Sequence, residues 1–198
     1  MSEPGGEFPF GIKEAFDRLA LWSSYAGPSH WPDPDMLPEG WLGPSPGWGF
    51  ARASRETLDE QRTEFALWCF ARAPLFFGGN MTRLSALSRS LLTNRTLLAI
   101  DQNANDRPIP TGRLGPAFSN LRVWRATVTQ PGSDGGSEYI AIFNLAGAPA
   151  TVHLTWKQLG LKGSKHSAHN IWDNSTIQDA KGFGVTLSPH GSAVLALH

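Results

Sequence analysis

Gly27-Pro28-Ser29-His30-Trp31-Pro32-Asp33-Pro34-Asp35-Met36-Leu37 is the stretch from which the fold of this chain is read. Pro32 and Pro34 hold their own φ near about −65° and push Trp31 and Asp33 out of the helical region. The segment is therefore expected to run extended and stiff. In an extended chain residues two apart face the same side, so Asp33 and Asp35 are expected to point together, with the Trp31 indole nearby. A flat apolar ring beside two hydrogen-bond acceptors suits a grip on a sugar. By itself the stretch reads equally as a Pro-rich loop with a solvated Asp pair, and the neighbouring segments decide between the two.

Upstream, Ile12, Phe16, Leu19, Leu21 and Trp22 alternate with Lys13, Glu14, Asp17 and Arg18, which predicts a helix that ends at Gly27-Pro28. Downstream, residues 38–53 read as a long loop rich in Gly, Pro and Trp, including Trp41 and Trp48. Thr57 to Glu60 reads as a capping box opening a helix to about Ala73, apolar almost all round from Phe65 to Phe70 and stopped by Pro74. Leu75-Phe76-Phe77 before Gly78-Gly79 predicts a fully buried strand of the parallel kind. A helix over 85–93 follows, with Asn94 as its cap, then the short apolar segment Leu97-Leu98-Ala99-Ile100. Residues 12–100 thus read helix, strand, helix, strand, helix, the rhythm of parallel β/α units.

From Asn103 the character changes. Residues 103–118 read as a linker, and the remainder as an antiparallel β-sandwich. Strands are predicted at Leu121–Val128, Tyr139–Leu145, Ala150–Trp156, His166–Trp172, Phe183–Leu187 and Ser192–Leu197, with a hairpin turn over Pro131–Gly136. The expected domains are residues 1–102, 103–118 and 119–198.

Composition narrows the function. Lys+Arg and Asp+Glu are both 17, so no basic surface argues for nucleic acid or an anionic membrane as partner. No stretch approaches the roughly 20 apolar residues that span a bilayer. The polar, acidic Met1–Glu7 is no signal peptide, which leaves location open. The single Cys69 forms no internal disulfide and reads as a buried, inert thiol. His166 and His169 read as surface strand residues, since a zinc site needs three or four donors. No metal or cofactor is expected. The triplets starting at Asn80, Asn94 and Asn174 match glycosylation sequons, a pattern too common to carry weight.

Four blocks together resemble glycoside hydrolase family 27, the α-galactosidases and α-N-acetylgalactosaminidases of clan D. They are Trp31-Pro32-Asp33-Pro34-Asp35-Met36-Leu37, Asp59 to Trp68, Ala73 to Gly79, and Leu92-Thr93-Asn94. Trp172-Asp173 and Pro189-His190-Gly191-Ser192 resemble the family's last strands. The resemblance implies a (β/α)8 TIM barrel followed by a C-terminal antiparallel β-sandwich, with the sugar pocket at the C-terminal ends of the barrel strands. It also implies retaining hydrolysis by an Asp nucleophile and an Asp acid/base. By the same resemblance Asp35 contacts galactose hydroxyls and Met36 lines the pocket wall; from the stretch itself Trp31 and Asp33 stand beside them as substrate-binding candidates, Asp33 reading as an acid that supports the site's structure.

The sequence departs from the family pattern in two places. A whole barrel takes about 250 residues, and only about a hundred precede the sandwich; no residue matches the family's nucleophile or acid/base. The expectation is the last β/α units of a barrel, inactive alone, whose partners are an α-galactoside and an N-terminal barrel segment. Such a piece leaves apolar strand edges near Trp31 and Phe76. The second departure is Asn80, where the family usually carries an acid. Galactose and its N-acetyl form both remain open as substrates. One alternative is a non-catalytic sugar-binding or structural module. Another, with Asp33 and Asp35 as a catalytic pair, fails because retaining carboxyls lie about 5–5.5 Å apart across the scissile bond.

Overall fold

The computed structural model describes residues 11–44, 49–109, 111–130, 136–161, 166–179 and 181–198. Helix α1 (Ile12–Trp22) buries Ile12, Phe16 and Leu19. Leu21 and Trp22, expected on the same face, are instead 75% and 60% exposed. At about 100° per residue they fall off the Phe16–Leu19 stripe. Helix α2 (Leu58–Ala71) starts with the expected capping box: Glu60 N donates to Thr57 Oγ1 at 3.2 Å, and Thr57 N donates to Glu60 Oε2 at 2.8 Å. Every residue from Thr63 to Ala71 is buried, so α2 is the central helix of this half of the molecule.

Two extended segments flank α2. They meet at one parallel bridge, Leu37 to Phe77, in which Leu37 N donates to Phe76 O at 2.7 Å and Gly78 N donates to Leu37 O at 2.9 Å. The parallel pairing is as the glycines and apolar run suggested, but the segment is not fully buried, because Phe76 is 60% exposed. The expected long loop contains a short antiparallel ladder, β1 (Trp41–Leu42) with β2 (Arg52–Ala53). Helix α3 (Ala86–Leu92) is capped by Ser85. Leu97–Ile100 is no separate segment but part of helix α4 (Arg95–Asn103), and Asn94 is its N-cap, accepting from Leu97 N at 3.0 Å. The buried Leu97 and Ile100, three apart, form its inner face.

The linker reading of 103–118 is also corrected. Residues Ala104–Ile109 form β3, an edge strand paired antiparallel with β4 (Leu121–Val128) from Ala104↔Val128 to Ile109↔Val123. Its polar residues and Pro108 suit an edge and conceal the strand from a hydropathy reading. The six-stranded sheet has the order β3-β4-β5-β10-β7-β8, adding β5 (Glu138–Asn144), β7 (His166–Asn170), β8 (Thr176–Asp179) and β10 (Ser192–Leu197). A two-stranded sheet, β6 (Ala150–Thr155) with β9 (Gly182–Leu187), covers one face. The expected turn at 131–136 lies, but for Gly136, outside the described residues.

Side-chain alternation divides β5 between two cores. Tyr139, Ala141 and Phe143 pack toward the helices, and Ile140 and Ile142 toward β6 and β9. The helical half and the sheet therefore share one core: Phe16 meets Phe143 edge-on, with ring centroids 4.9 Å apart. Arg122 clamps Asp17 through two hydrogen bonds of 2.7 and 3.0 Å, and Thr63 Oγ1 donates to His190 O at 2.9 Å. These ties make α2 and its neighbours a rigid support for the segment that precedes it.

Candidate functional site

Glu64, Trp68 and Arg72 recur every four residues along one face of α2. The opening stretch runs against this face. Arg72, the left-handed C-cap at φ 54°, lays its guanidinium 4.1 Å from the centroid of the Trp31 ring. One turn back, Trp68 Nε1 donates to the carbonyl oxygen of Asp35 at 2.8 Å. Next in order come the buried Glu64 and Glu39.

Asp35 has φ 82°, an uncommon conformation for a residue with a Cβ and one that costs on the order of 1–3 kcal/mol. It is supported on three sides. Its amide donates to Asp33 Oδ1 at 3.0 Å, its own Oδ1 accepts from Met36 N at 2.7 Å, and its carbonyl is taken by Trp68. The expected pair of parallel acids is therefore corrected. The left-handed turn breaks the two-residue alternation, and Asp33, also exposed, caps the backbone of Asp35. The half-buried Trp31 ring carries Arg72, a helical turn away from the Asp35 carbonyl.

The other wall of the site comes from the Gly78-Gly79 turn. A Cβ on Gly78 would meet Met36 Sδ at 2.5 Å, and one on Gly79 would fall on the Glu39 carbonyl oxygen. Glycine at both positions lets the two segments touch, and Met36 is held between them. Asn80 N then donates to Trp41 O at 2.6 Å, and Arg83 stacks 3.8 Å from the Trp41 ring centroid. Asn80 spends its side-chain oxygen on Thr82, accepting from the amide at 2.9 Å and the hydroxyl at 2.7 Å. Its role is to start the short turn Met81–Arg83. The site thus presents an exposed Asp35, a half-buried Met36 and the half-buried Trp41 around a glycine turn.

Glu39 and Glu64 were not legible as a pair, being distant in sequence. Burial, then repulsion from Glu56, pushes the Glu39 carboxyl up to about 8. Burial, repulsion from Glu56 and Glu39, and a hydrogen bond with Glu56 hold Glu64 well above the ordinary carboxylate range. The histidines lie elsewhere. His169 Nδ1 is 2.9 Å from His198 Nε2 with the rings stacked, and His166 packs on Trp156. Among the described residues no three His, Cys, Asp or Glu are placed to hold a metal ion, and no helix is long and apolar enough to cross a membrane.

The family profile "Alpha galactosidase A" matches residues 13–103, and "Alpha galactosidase C-terminal beta sandwich domain" matches residues 119–197. Together they take in both halves of the fold. The chain belongs to glycoside hydrolase family 27. Among its relatives in the family, an α-galactosidase of Oryza sativa subsp. japonica is 26% identical over 182 residues, which are 91% of this chain and 39% of the relative. One from Cyamopsis tetragonoloba is 31% identical over 153 residues, 77% of this chain and 32% of the relative. A family 27 β-L-arabinopyranosidase from Geobacillus stearothermophilus superposes with a TM-score of 0.79 at 30% identity, over 94% of this chain and 41% of that one. The chain thus spans about two fifths or less of the length of these relatives, a C-terminal portion of the TIM-barrel enzyme with its β-sandwich.

The Trp68 tether gives a direct test of the site's support. Trp68→Phe leaves the partly buried Asp35 carbonyl without its donor, at a cost of about 1 kcal/mol. Urea unfolding is expected to show that loss, with amide exchange at Met36 accelerated ahead of β5.

Proposed function

We propose that this chain forms the sugar-recognition sector of an α-galactosidase-type retaining hydrolase, with Asp35 accepting hydroxyl groups of a terminal α-galactoside and Met36 forming the adjoining wall. The observation that carries this reading is the left-handed Asp35, exposed at the site yet held by Asp33, Met36 and Trp68. Strained residues persist where surrounding structure over-determines them, typically at binding sites. In this reading the nucleophile and the acid/base, which must lie about 5–5.5 Å apart, come from barrel strands other than the two described here.

The exposed apolar residues favour this over a self-contained binding module. Leu21 and Trp22 on α1 and Phe76 on the bridged segment are 75%, 60% and 60% exposed. Further barrel units would cover them, whereas a free-standing module gains nothing by leaving them in water.

The 198-residue chain is expected to show no turnover of a nitrophenyl α-galactoside above background. A chimera in which residues 12–198 replace the matching portion of the rice α-galactosidase is expected to turn it over. Asp35→Asn in that chimera should lower kcat/KM about 100-fold, as loss of charged hydrogen bonds worth about 1.5–3 kcal/mol each implies. Turnover by the isolated chain that Asp35→Asn abolishes would place the whole chemistry inside these residues and sink the reading.

A further inference from the structure

Arg72 closes α2 in a conformation that glycine takes more readily. Its φ and ψ are 54° and 40°, with Arg72 N on Cys69 O at 3.1 Å and Ala73 N on Trp68 O at 3.0 Å. The left-handed residue at a helix end is commonly glycine, because a Cβ crowds the backbone there. A residue with a side chain persists in such a conformation where its surroundings over-determine it. The half-buried Arg72 side chain has partners on two sides. In the plane of the guanidinium, Nε donates to Asp101 O at 3.1 Å and Nη2 to Gln102 O at 3.5 Å. Both acceptors are main-chain carbonyls in the last turn of α4, the end of a helix that attracts a cation. The flat face of the guanidinium, which carries no donor, lies 4.1 Å from the centroid of the Trp31 ring.

Trp31 opens the stretch that leads to Asp35. Pro32 and Pro34 fix their own φ and restrict Trp31 and Asp33, so few torsions remain to absorb a displacement of the indole. Asp33 Oδ1 accepts from Asp35 N at 3.0 Å and couples the two ends of the stretch. Trp68, one turn before Arg72 on the same face of α2, holds the Asp35 carbonyl at 2.8 Å. The stretch is thus pinned to one helix at both ends. That helix is buried from Thr63 to Ala71 and does not follow its movements.

We propose that Arg72 is a positioning residue for the sugar site: its stack on Trp31 and its grip on the end of α4 fix the base of a proline-stiffened lever whose tip is Asp35. This role rests on Asp35 accepting the sugar hydroxyls, as proposed above. Without the guanidinium the Trp31 ring loses the plate on one of its faces. Residues 31–34 then swing together, and Asp33 carries the Asp35 amide with it. Trp68 is left holding Asp35 by one bond to its carbonyl, about which the carboxylate turns. Arg72 acts through Trp31 and Asp35 and not on the sugar itself.

Arg72→Gly separates the side chain from the backbone, because glycine suits φ 54° and preserves the end of α2. Amide exchange of the 198-residue chain measures the lever independently of any reaction. The amides of Asp35 and Met36 are held by Asp33 Oδ1 and Asp35 Oδ1. Their exchange should rise about tenfold in Arg72→Gly, the scale set by losing a half-buried cation–π contact. Exchange at Phe65–Phe70 of α2 and along β5 should stay as in the parent chain. Arg72→Lys keeps a cation for the ring but loses the planar reach to Asp101 and Gln102, and should fall between the two. Unchanged exchange at Asp35 and Met36 overturns the proposal, as does acceleration of α2 in step with them.

Kinetics of the chimera with the rice α-galactosidase supply the second readout. Arg72→Gly should raise KM for a nitrophenyl α-galactoside about tenfold and leave kcat within about twofold, because the contacts it positions hold the sugar both before and during bond cleavage. A merely structural defect would remove active molecules and lower the apparent kcat at constant KM. In an Asp35→Asn background Arg72→Gly should cost less than about twofold, since the lever then carries no carboxylate. Additive losses in kcat/KM, or a loss confined to kcat, would overturn the positioning role. The two readings fail differently. If Asp35→Asn leaves kcat/KM unchanged, the sugar-site reading falls and the positioning role with it. If Asp35→Asn is severe and Arg72→Gly silent, the positioning role falls alone.

Discussion

Gly79→Ala is expected to destabilise the chain by about 3 kcal/mol, the upper end of the cost of inserting a methyl into a packed site. The new Cβ would fall on the Glu39 carbonyl oxygen and 2.5 Å from Phe77 Cζ. The first of these is backbone, so relief requires moving the whole 37–41 segment away from the Gly78-Gly79 turn. That movement strains the Leu37–Phe77 bridge and the Asn80 to Trp41 hydrogen bond. For a chain of this size the loss corresponds to a fall in Tm of about 6–12 °C. Gly78→Ala makes an instructive contrast, because its Cβ would meet the flexible end of Met36 at 2.5 Å. A shift of that side chain relieves much of the overlap, and about 1 kcal/mol is expected. Gly112, with nothing within 4 Å of an added Cβ, is the neutral control. Thermal and urea melts of the three variants decide the matter. Equal midpoints for Gly79→Ala and Gly112→Ala would show that the two segments are not in the contact described.

Phe143→Ala should cost about 3–5 kcal/mol, the usual range for a buried phenylalanine in a rigid core. Phe143 is fully buried on β5, on the face turned to the helices, and meets Phe16 of α1 edge-on. The Asp17–Arg122 pair and the Thr63 to His190 hydrogen bond cross the same boundary. A cavity there therefore weakens both halves at once. Far-UV dichroism, dominated by the helices, and fluorescence from Trp124 on β4 and Trp156 beside β6 should report a single coincident transition displaced to lower urea. If the tryptophans of the sheet kept their original midpoint while the helical signal was lost, the two halves would have independent cores, contrary to the shared cluster.

Much of the architecture was legible because its causes are local. Thr57 and Glu60 announce the start of α2 by chemistry within four residues, and the structure places both hydrogen bonds. The strands β4, β5 and β10 carry enough apolar and β-branched residues to be read directly. The misreadings have non-local causes. β3 is polar and contains Pro108, and it exists as a strand because β4 offers it a ladder. Leu97–Ile100 is too short an apolar run to distinguish strand from helix, and the Asn94 cap decides it. Leu21 and Trp22 fit an apolar reading of α1 but fall off the buried stripe.

The candidate site divides along the same line. Proline placement alone kept Trp31–Pro34 out of the helical region, and the order of the motif blocks alone placed the chain in its family and marked Asp35 and Met36 as candidates. Whether the two aspartates act together was not in the sequence. That depended on a left-handed residue held by Trp68, a contact between positions 33 residues apart. Nor could the sequence join Glu39, Glu56 and Glu64, or move Trp31 under Arg72, since each acquires its neighbour only when α2 lies against the opening stretch. Torsional restriction and capping act within a few residues and are therefore written in the order of the chain. Burial and the proton affinities that follow from it depend on what the fold brings alongside, and only the tertiary structure sets them.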